Sequence, residues 1–277
     1  MESHPLLLVG ELPESAIVDG LLESTGGTLD LRRVRDVASA IAILRDPSGS
    51  QPELVVLCEP RPGQWSEAEA GELRSAAPLC RLVRLSGSWC EGQARSGRPP
   101  AGCPATYWHQ WLPRLAHEHA ALNAGRNPSW AQPLTATPEE QLLAGTTRGR
   151  PSGCGGTIVI RAETSSAASA LAAVCRGAGY VTLVERSGDP IGNAEARTAE
   201  ASAVLWDTPP DALHEAERIE RIRRRASGAS IVALAGFPRA DDVRAALAAG
   251  IAAVVSKPYR TADLLWHLRQ CELMTGR

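Results

Sequence analysis

Lysine is almost missing from this chain: among 29 lysine and arginine residues only Lys257 is a lysine. Basic character therefore rests on arginine, and a formal charge of −2 gives no overall pull toward nucleic acid or anionic lipid. Phenylalanine occurs once and tyrosine three times, which leaves the seven tryptophans conspicuous. No run approaches the roughly 18 apolar residues of a membrane-spanning helix. The opening "MESHPLLLVGELPES" has no basic leader and too short an apolar run for a secretory core. The cysteines at 58, 80, 90, 103, 154, 175 and 271 are odd in number and contain no CxxC pair. They read as reduced thiols of a cytoplasmic protein, not a disulfide frame.

What is present suffices for real cores. Of 277 residues, 44% are apolar and 22% charged, a balance and length that suit two ordinary domains and not a disordered chain. Residues 121–156 are rich in Pro, Gly, Ser and Thr and read as a linker, with a short helix at "PEEQLLAG". On either side the same element order recurs. In 157–277 the apolar runs "TIVI", "YVTLVE", "ASAVLWD", "SIVALAG" and "AAVVS" alternate with the helical "SAASALAAVCRGAG", "PDALHEAERIERIRRRASG", "ADDVRAALAAG" and "TADLLWHLRQCEL". In 1–120, "PLLLVGE", "PESAIVDGLLESTGG", "TLDLRRV", "ASAIAILRD", "PELVVLCEP", "EAEAGELRSA" and "CRLVRLSG" repeat the opening, before an irregular 86–111 loop replaces a helix. Continuous apolar strands alternating with helices predict two doubly wound α/β domains, each a parallel sheet of five strands covered on both faces. Ligands of such sheets gather at the carboxyl ends of the strands.

The segment "IVALAGFPRADDVRAALAAGIAAVVSKPYRTADLL" resembles the fourth strand through fifth helix of the receiver domain of bacterial response regulators, Lys-Pro pair included. The element order extends the resemblance over 156–272 and more loosely over 5–120. The resemblance implies a flavodoxin-like (CheY-like) fold and a phosphoacceptor aspartate after the third strand. It also implies two magnesium-holding acids after the first strand, a Thr or Ser after the fourth and a lysine after the fifth. A trianionic transition state needs that cation and those fixed donors. In the second half the acceptor position falls on Asp207 and the lysine on Lys257. The acid pair falls on Arg161 and Ala162, with Glu163 one place on, and the Thr position on Ala235. In the first half the acids fall on Gly10 and Glu11, the acceptor on Cys58, the Thr/Ser position on Ser86 and the lysine near His109. An arginine in place of a metal-binding carboxylate repels magnesium. The expectation is two degenerate copies, with Arg161 and Lys257 both pairing Asp207 in a metal-free cluster.

The loop "SGSWCEGQARSGRPPAGCPATYWHQW" is the most chemically crowded stretch and a candidate binding loop, with Trp89, Glu91, Arg95, Arg98, Trp108, His109 and Trp111 as its contacts. The competing reading folds the loop back and buries its tryptophans. Zinc on Cys90, Cys103 and His109, and a nucleophilic Cys58 or Cys90 beside His109, are weaker readings, since neither knuckle spacing nor a nucleophile elbow is present. The arginines of "ERIERIRRRASG" read as a solvated helix end, and no nucleic-acid partner is expected. Trp206 reads as core; Tyr259 and Trp266 read as an interface or as core.

No output module is recognisable beyond the last helix. The expected function is a non-catalytic regulatory or scaffold protein of bacterial signal transduction, built from tandem pseudo-receivers and binding other signalling proteins, a histidine kinase or a downstream effector among them. A homodimer is compatible with this; a membrane partner is not expected. No cofactor is expected, with magnesium only if Asp207 is phosphorylated. The alternatives are a response regulator still phosphorylated on Asp207, and a metal-binding or enzymatic protein centred on the 86–111 loop.

Overall fold

In the computed structural model the chain divides into two compact units, Met1–Arg148 and Gly149–Arg277. The structure describes residues 5–14, 30–90, 93, 97–125, 129–131, 133, 155–186, 201–209, 212–226 and 228–275. The helices expected over "PESAIVDGLLESTGG" and "PEEQLLAG" lie outside these residues. No helix among the described residues is long and apolar enough to cross a membrane.

In the first unit, strands β1 (Leu6–Val9), β2 (Leu31–Val34), β3 (Leu54–Glu59), β4 (Arg81–Ser86) and β5 (Ala105–Tyr107) form one sheet in the order β2-β1-β3-β4-β5. Every ladder is parallel. Helix α1 (Val37–Leu44) starts at Asp36, whose carboxylate accepts from the Ser39 N–H at 2.8 Å. Helix α2 (Glu67–Ala76) starts with a reciprocal Ser66/Glu69 capping box. Beyond β4 comes a short turn (Ser88–Cys90). A second turn (Trp108–Gln110) leads from β5 into α3 (Trp111–Asn123). Within the stretch read as linker, Trp130 is buried and stacks on Trp111 at 5.5 Å, so 129–131 belongs to the packed first unit.

The second unit follows the same scheme, with a helix described between its last two strands. Strands β6 (Thr157–Ala162), β7 (Val181–Arg186), β8 (Ala203–Asp207), β9 (Ser230–Gly236) and β10 (Ala253–Lys257) lie in the order β7-β6-β8-β9-β10, again parallel throughout. Among the described residues its helices are α4 (Ser165–Gly177, capped by Thr164), α5 (Ala216–Arg225), α6 (Ala240–Ala248) and α7 (Thr261–Thr275). Ile158, Ile160, Leu205, Val232, Leu234 and Val255 pack with α4 and α7 on one face of the sheet.

Numbered from each unit's own first strand, both sheets read 2-1-3-4-5, the doubly wound flavodoxin order. The fold expected from the sequence is the fold observed. In this arrangement the strand order reverses between the first and third strands, and the carboxyl ends of that pair open the crevice where ligands bind.

Candidate functional site

At the carboxyl edge of the second sheet, Asp207 ends β8 and Lys257 ends β10. The Lys257 Nζ and the Asp207 Oδ1 form an ion pair. Asp207 is 17% and Lys257 34% exposed, so the pair sits at the rim of the sheet and not in its interior. Between them β9 ends in Ala235 and Gly236, which bring no hydroxyl. The Lys257–Pro258 bond is cis. Tyr259, partly buried against the core beside this pair, has its phenol raised by burial and then by the Asp207 charge.

Arg161 does not join them. It pairs with Glu185 of β7, Nε to Oε2 at 2.5 Å. The pleat explains this departure from expectation. Arg161 stands opposite Trp206 in the β6–β8 ladder and opposite Glu185 in the β6–β7 ladder. Side chains alternate faces along a strand, so Asp207 leaves the sheet on the opposite side from Trp206 and Arg161. The Arg161 Nη1 and Nη2 are buried without a hydrogen-bond partner. Ala162 adds no polar group, and Glu163 is exposed. Arg161, Glu163, Asp207 and Trp206 border a crevice of about 180 Å³ whose remaining wall is α5, which contributes Arg218, Arg221 and Arg225.

These residues do not fit magnesium. That ion asks for near-octahedral oxygen donors. Here Asp207 is engaged by a lysine and Glu185 by an arginine, only exposed Glu163 is left among the lining carboxylates, and the lining arginine Arg161 has two buried nitrogens with unmet donors. Among the described residues, no three or more His, Cys, Asp or Glu side chains gather as a metal site.

The first unit closes the corresponding edge differently. Cys58 is fully buried, and burial pushes its thiol up to about 12. Trp65 lies across the strand ends, its indole N–H donating to the Cys58 carbonyl at 2.9 Å. Gly10, at φ +93°, backs onto that ring: a Cβ there would come within 2.8 Å of it. Glu11 points to solvent. Glu59, also fully buried, accepts from Arg84 Nη1 at 2.7 Å, Gln93 Nε2 at 3.0 Å and Ser86 Oγ at 3.2 Å. Arg84 also donates from Nη1 to Gln93 Oε1 at 3.1 Å and from Nε to the Cys103 carbonyl at 3.2 Å. A buried carboxylate that meets a guanidinium, an amide and a hydroxyl has its lone pairs answered within the fold. The space that would receive a ligand holds a tryptophan and a closed polar network.

Register also corrects two placements. Val9 pairs with Leu57 and Arg161 with Trp206, each one residue before the position Cys58 and Asp207 share, so Gly10 and Glu11 match Ala162 and Glu163. Ser86 lies opposite Tyr107 as Ala235 lies opposite Ser256. The residue matching Lys257 is therefore Trp108, not His109. Trp108 is buried, with 1% exposure. His109 stacks on Tyr107 at 5.9 Å, and burial lowers its imidazole to about 4.

Of the candidate binding loop, Trp108 and Trp111 fold back into the unit and are buried, whereas Trp89 is 77% exposed and Arg98 is exposed. Glu91 and Arg95 lie outside the described residues. Cys90 donates to the Glu59 carbonyl at 3.2 Å and Cys103 lies 3.7 Å from an Arg74 nitrogen, so each thiol has its own surroundings instead of a shared ligand set with His109. In the second unit Trp206 is buried, and Trp266 is half-buried, edge-on to His267 at 4.9 Å.

Sequence reasoning missed Arg84, Gln93, Trp65 and Glu185. Arg84 had a visible signal, a charge in the middle of the apolar strand "RLVRLS". Glu185 had a weaker one, lying at the end of the strand beside Arg161.

No family model matches the sequence, and no curated protein matches it. Among solved structures, the chain is similar to a response regulator receiver domain protein from Clostridium thermocellum, with 15% identity over 44% of this chain and 97% of that one at a TM-score of 0.39. It is also similar to the C-terminus of E. coli RcsC, containing a linker region and phosphoreceiver domain, with 14% identity over 99% and 93% at 0.35. The GsuK channel bound to NAD follows, with 13% identity over 99% and 66% at 0.31. At these identities and scores the fold assignment rests on strand order and register, not on the neighbours.

Proposed function

We propose that the chain is a non-catalytic regulatory or scaffold protein of bacterial signal transduction, a tandem of pseudo-receivers that acts by binding other signalling proteins in the cytoplasm. One observation carries the reading: Asp207 is held by Lys257, while the strand beside it ends in Arg161, paired with Glu185, and Ala162, leaving exposed Glu163 as the one carboxylate at the acid positions. The Lys-Pro segment and the 2-1-3-4-5 order support descent from receivers. The sealed first unit supports loss of chemistry there, and exposed Trp89 supports a contact surface in its place.

The second reading, a phosphorylated Asp207 with Glu163 helping to hold magnesium, draws on the partial exposure of Asp207 and the open position of Glu163. Mass spectrometry and fluorine NMR of the full chain with magnesium and beryllofluoride separate the two. No adduct is expected; a stoichiometric adduct on Asp207 overturns the pseudo-receiver reading for the second unit.

A further inference from the structure

We propose that the crevice at the carboxyl edge of the second sheet is a metal-free binding site for a small phosphate monoester. The inference goes beyond the scaffold reading and shares with it only the premise that magnesium does not occupy this crevice.

The ligand's charge follows from the lining. Four arginines, Arg161, Arg218, Arg221 and Arg225, face three carboxylates, Glu163, Glu185 and Asp207. Two of those carboxylates are already answered, Glu185 by Arg161 and Asp207 by Lys257. Arg218 is shared with Glu215 at 3.3 Å. Arg221 and Arg225 have no carboxylate partner among the described residues. Their spacing puts Arg218, Arg221 and Arg225 on one face of α5 at i, i+3 and i+7, the face that walls the crevice. What reads in sequence as a solvated basic helix end is thus turned toward the strand ends.

Arg161 makes the case for a ligand and not for a merely basic rim. Its side chain is 8% exposed, and only its Nε is bonded. Nη1 and Nη2 are buried donors with no acceptor. A buried donor left unmet costs about 1–3 kcal/mol, more when charged, and native folds rarely carry two on one side chain. A phosphate presents several acceptor oxygens, and a guanidinium edge binds two of them at once. The location agrees, since β6 and β8 form the switch point of the sheet. Size also selects. About 180 Å³ holds several waters at roughly 30 Å³ each, hence a phosphoryl group with part of its substituent. The phosphodiester backbone of a nucleic acid meets exposed arginines, but it does not carry a terminal phosphoryl group in to a side chain as buried as Arg161. Nothing is transferred; the site holds and releases its anion.

Calorimetry on the full chain in EDTA at low salt tests this, with inorganic phosphate, adenosine 5′-monophosphate and a single-stranded oligonucleotide as probes. Saturable one-to-one binding of phosphate or the nucleotide is expected, weakened at least tenfold by Arg221→Ser combined with Arg225→Ser. Both sites lie on the helix surface, so the variant retains its fold. Phosphate binding alone identifies the phosphoryl group as the whole ligand; tighter nucleotide binding identifies a substituted monoester. Binding that appears only with magnesium, that is unchanged in the variant, or that is strongest for the oligonucleotide overturns the proposal. A beryllofluoride adduct on Asp207 formed with magnesium removes the scaffold reading and the premise shared with it, whereas phosphate binding in EDTA that the arginine variant leaves unchanged removes this proposal alone, so the two failures are distinguishable.

Discussion

Gly10 and Trp65 compete for one space: a Cβ at Gly10 would sit 2.8 Å from the indole that covers the first sheet's strand ends. The position that in a receiver supplies an acid here has no room for one, and its backbone, at φ +93°, disfavours any side chain. Gly10→Asp therefore does not rebuild a magnesium site. It is expected to destabilise the first unit by about 2–4 kcal/mol, strain and overpacking together. Urea unfolding followed by tryptophan fluorescence checks this, because Trp65, Trp89, Trp108, Trp111 and Trp130 all lie in the first half of the chain. A stability within 0.5 kcal/mol of the parent, or magnesium binding gained, would contradict the plugged pocket.

The Glu59–Arg84 pair predicts an asymmetry. Arg84→Met leaves a fully buried carboxylate without its cation and is expected to cost about 3–5 kcal/mol. Arg84→Met with Glu59→Leu removes both charges and should recover at least about half of that loss, since an apolar pair of similar volume has no desolvation penalty. The same unfolding assay reads both. Equal losses in the single and double variants would show that the network is not a closed unit.

The rim pair in the second unit is weaker. Lys257 is a third exposed, so solvent screens it, and Lys257→Met is expected to cost about 1–2 kcal/mol, below the range for a buried pair. Asp207→Asn with Lys257→Met should show a coupling of about 1 kcal/mol in a double-mutant cycle. Strict additivity would mean that the contact contributes nothing.

Much of this architecture was legible in the residues. Continuous runs such as "LVVLCE" and "TIVIRA" announced buried parallel strands, and the alternation with helices announced the doubly wound order. What stayed hidden depends on pleat parity and register. Arg161 stands next to last in β6 and Asp207 ends the adjacent β8, and only the ladder shows that they leave opposite faces. Trp65 lies in a loop seven residues past Cys58, where no periodicity says that its ring turns back over Gly10. Arg221 and Arg225 looked like a solvent-facing charge run because helix spacing fixes a stripe but not what the stripe confronts.

Two histidines give the protein a pH profile. Burial lowers His109 and His267 to about 4 from the ordinary 6.5. Between those values the unfolded chain binds protons that the folded chain refuses, so stability is full above about pH 6.5 and is lost as pH falls toward 4. The melting temperature should decline already between pH 6.5 and 5.5, above the range of ordinary carboxylates. His267→Gln should flatten the decline for the second unit and His109→Gln for the first. A decline identical in both variants and the parent would place its source elsewhere.

Cys58 stands where the other unit has Asp207, so its reactivity decides whether that position retains chemistry. Its thiol is fully buried and pushed to about 12, which leaves roughly one molecule in 10⁴ as thiolate at pH 8, before access is counted. Alkylation by iodoacetamide then has to wait for the first unit to open, and its rate measures the opening population. Gly10→Asp supplies the control. A loss of about 2.7 kcal/mol raises that population roughly a hundredfold, and labelling of Cys58 should rise by the same factor while its neighbours keep the protein otherwise native. Peptide mapping after timed labelling reads this directly. Fast labelling in the parent, indifferent to Gly10→Asp, would mean a thiol that meets solvent in the folded state, and a nucleophile would return to consideration at the edge of the first sheet.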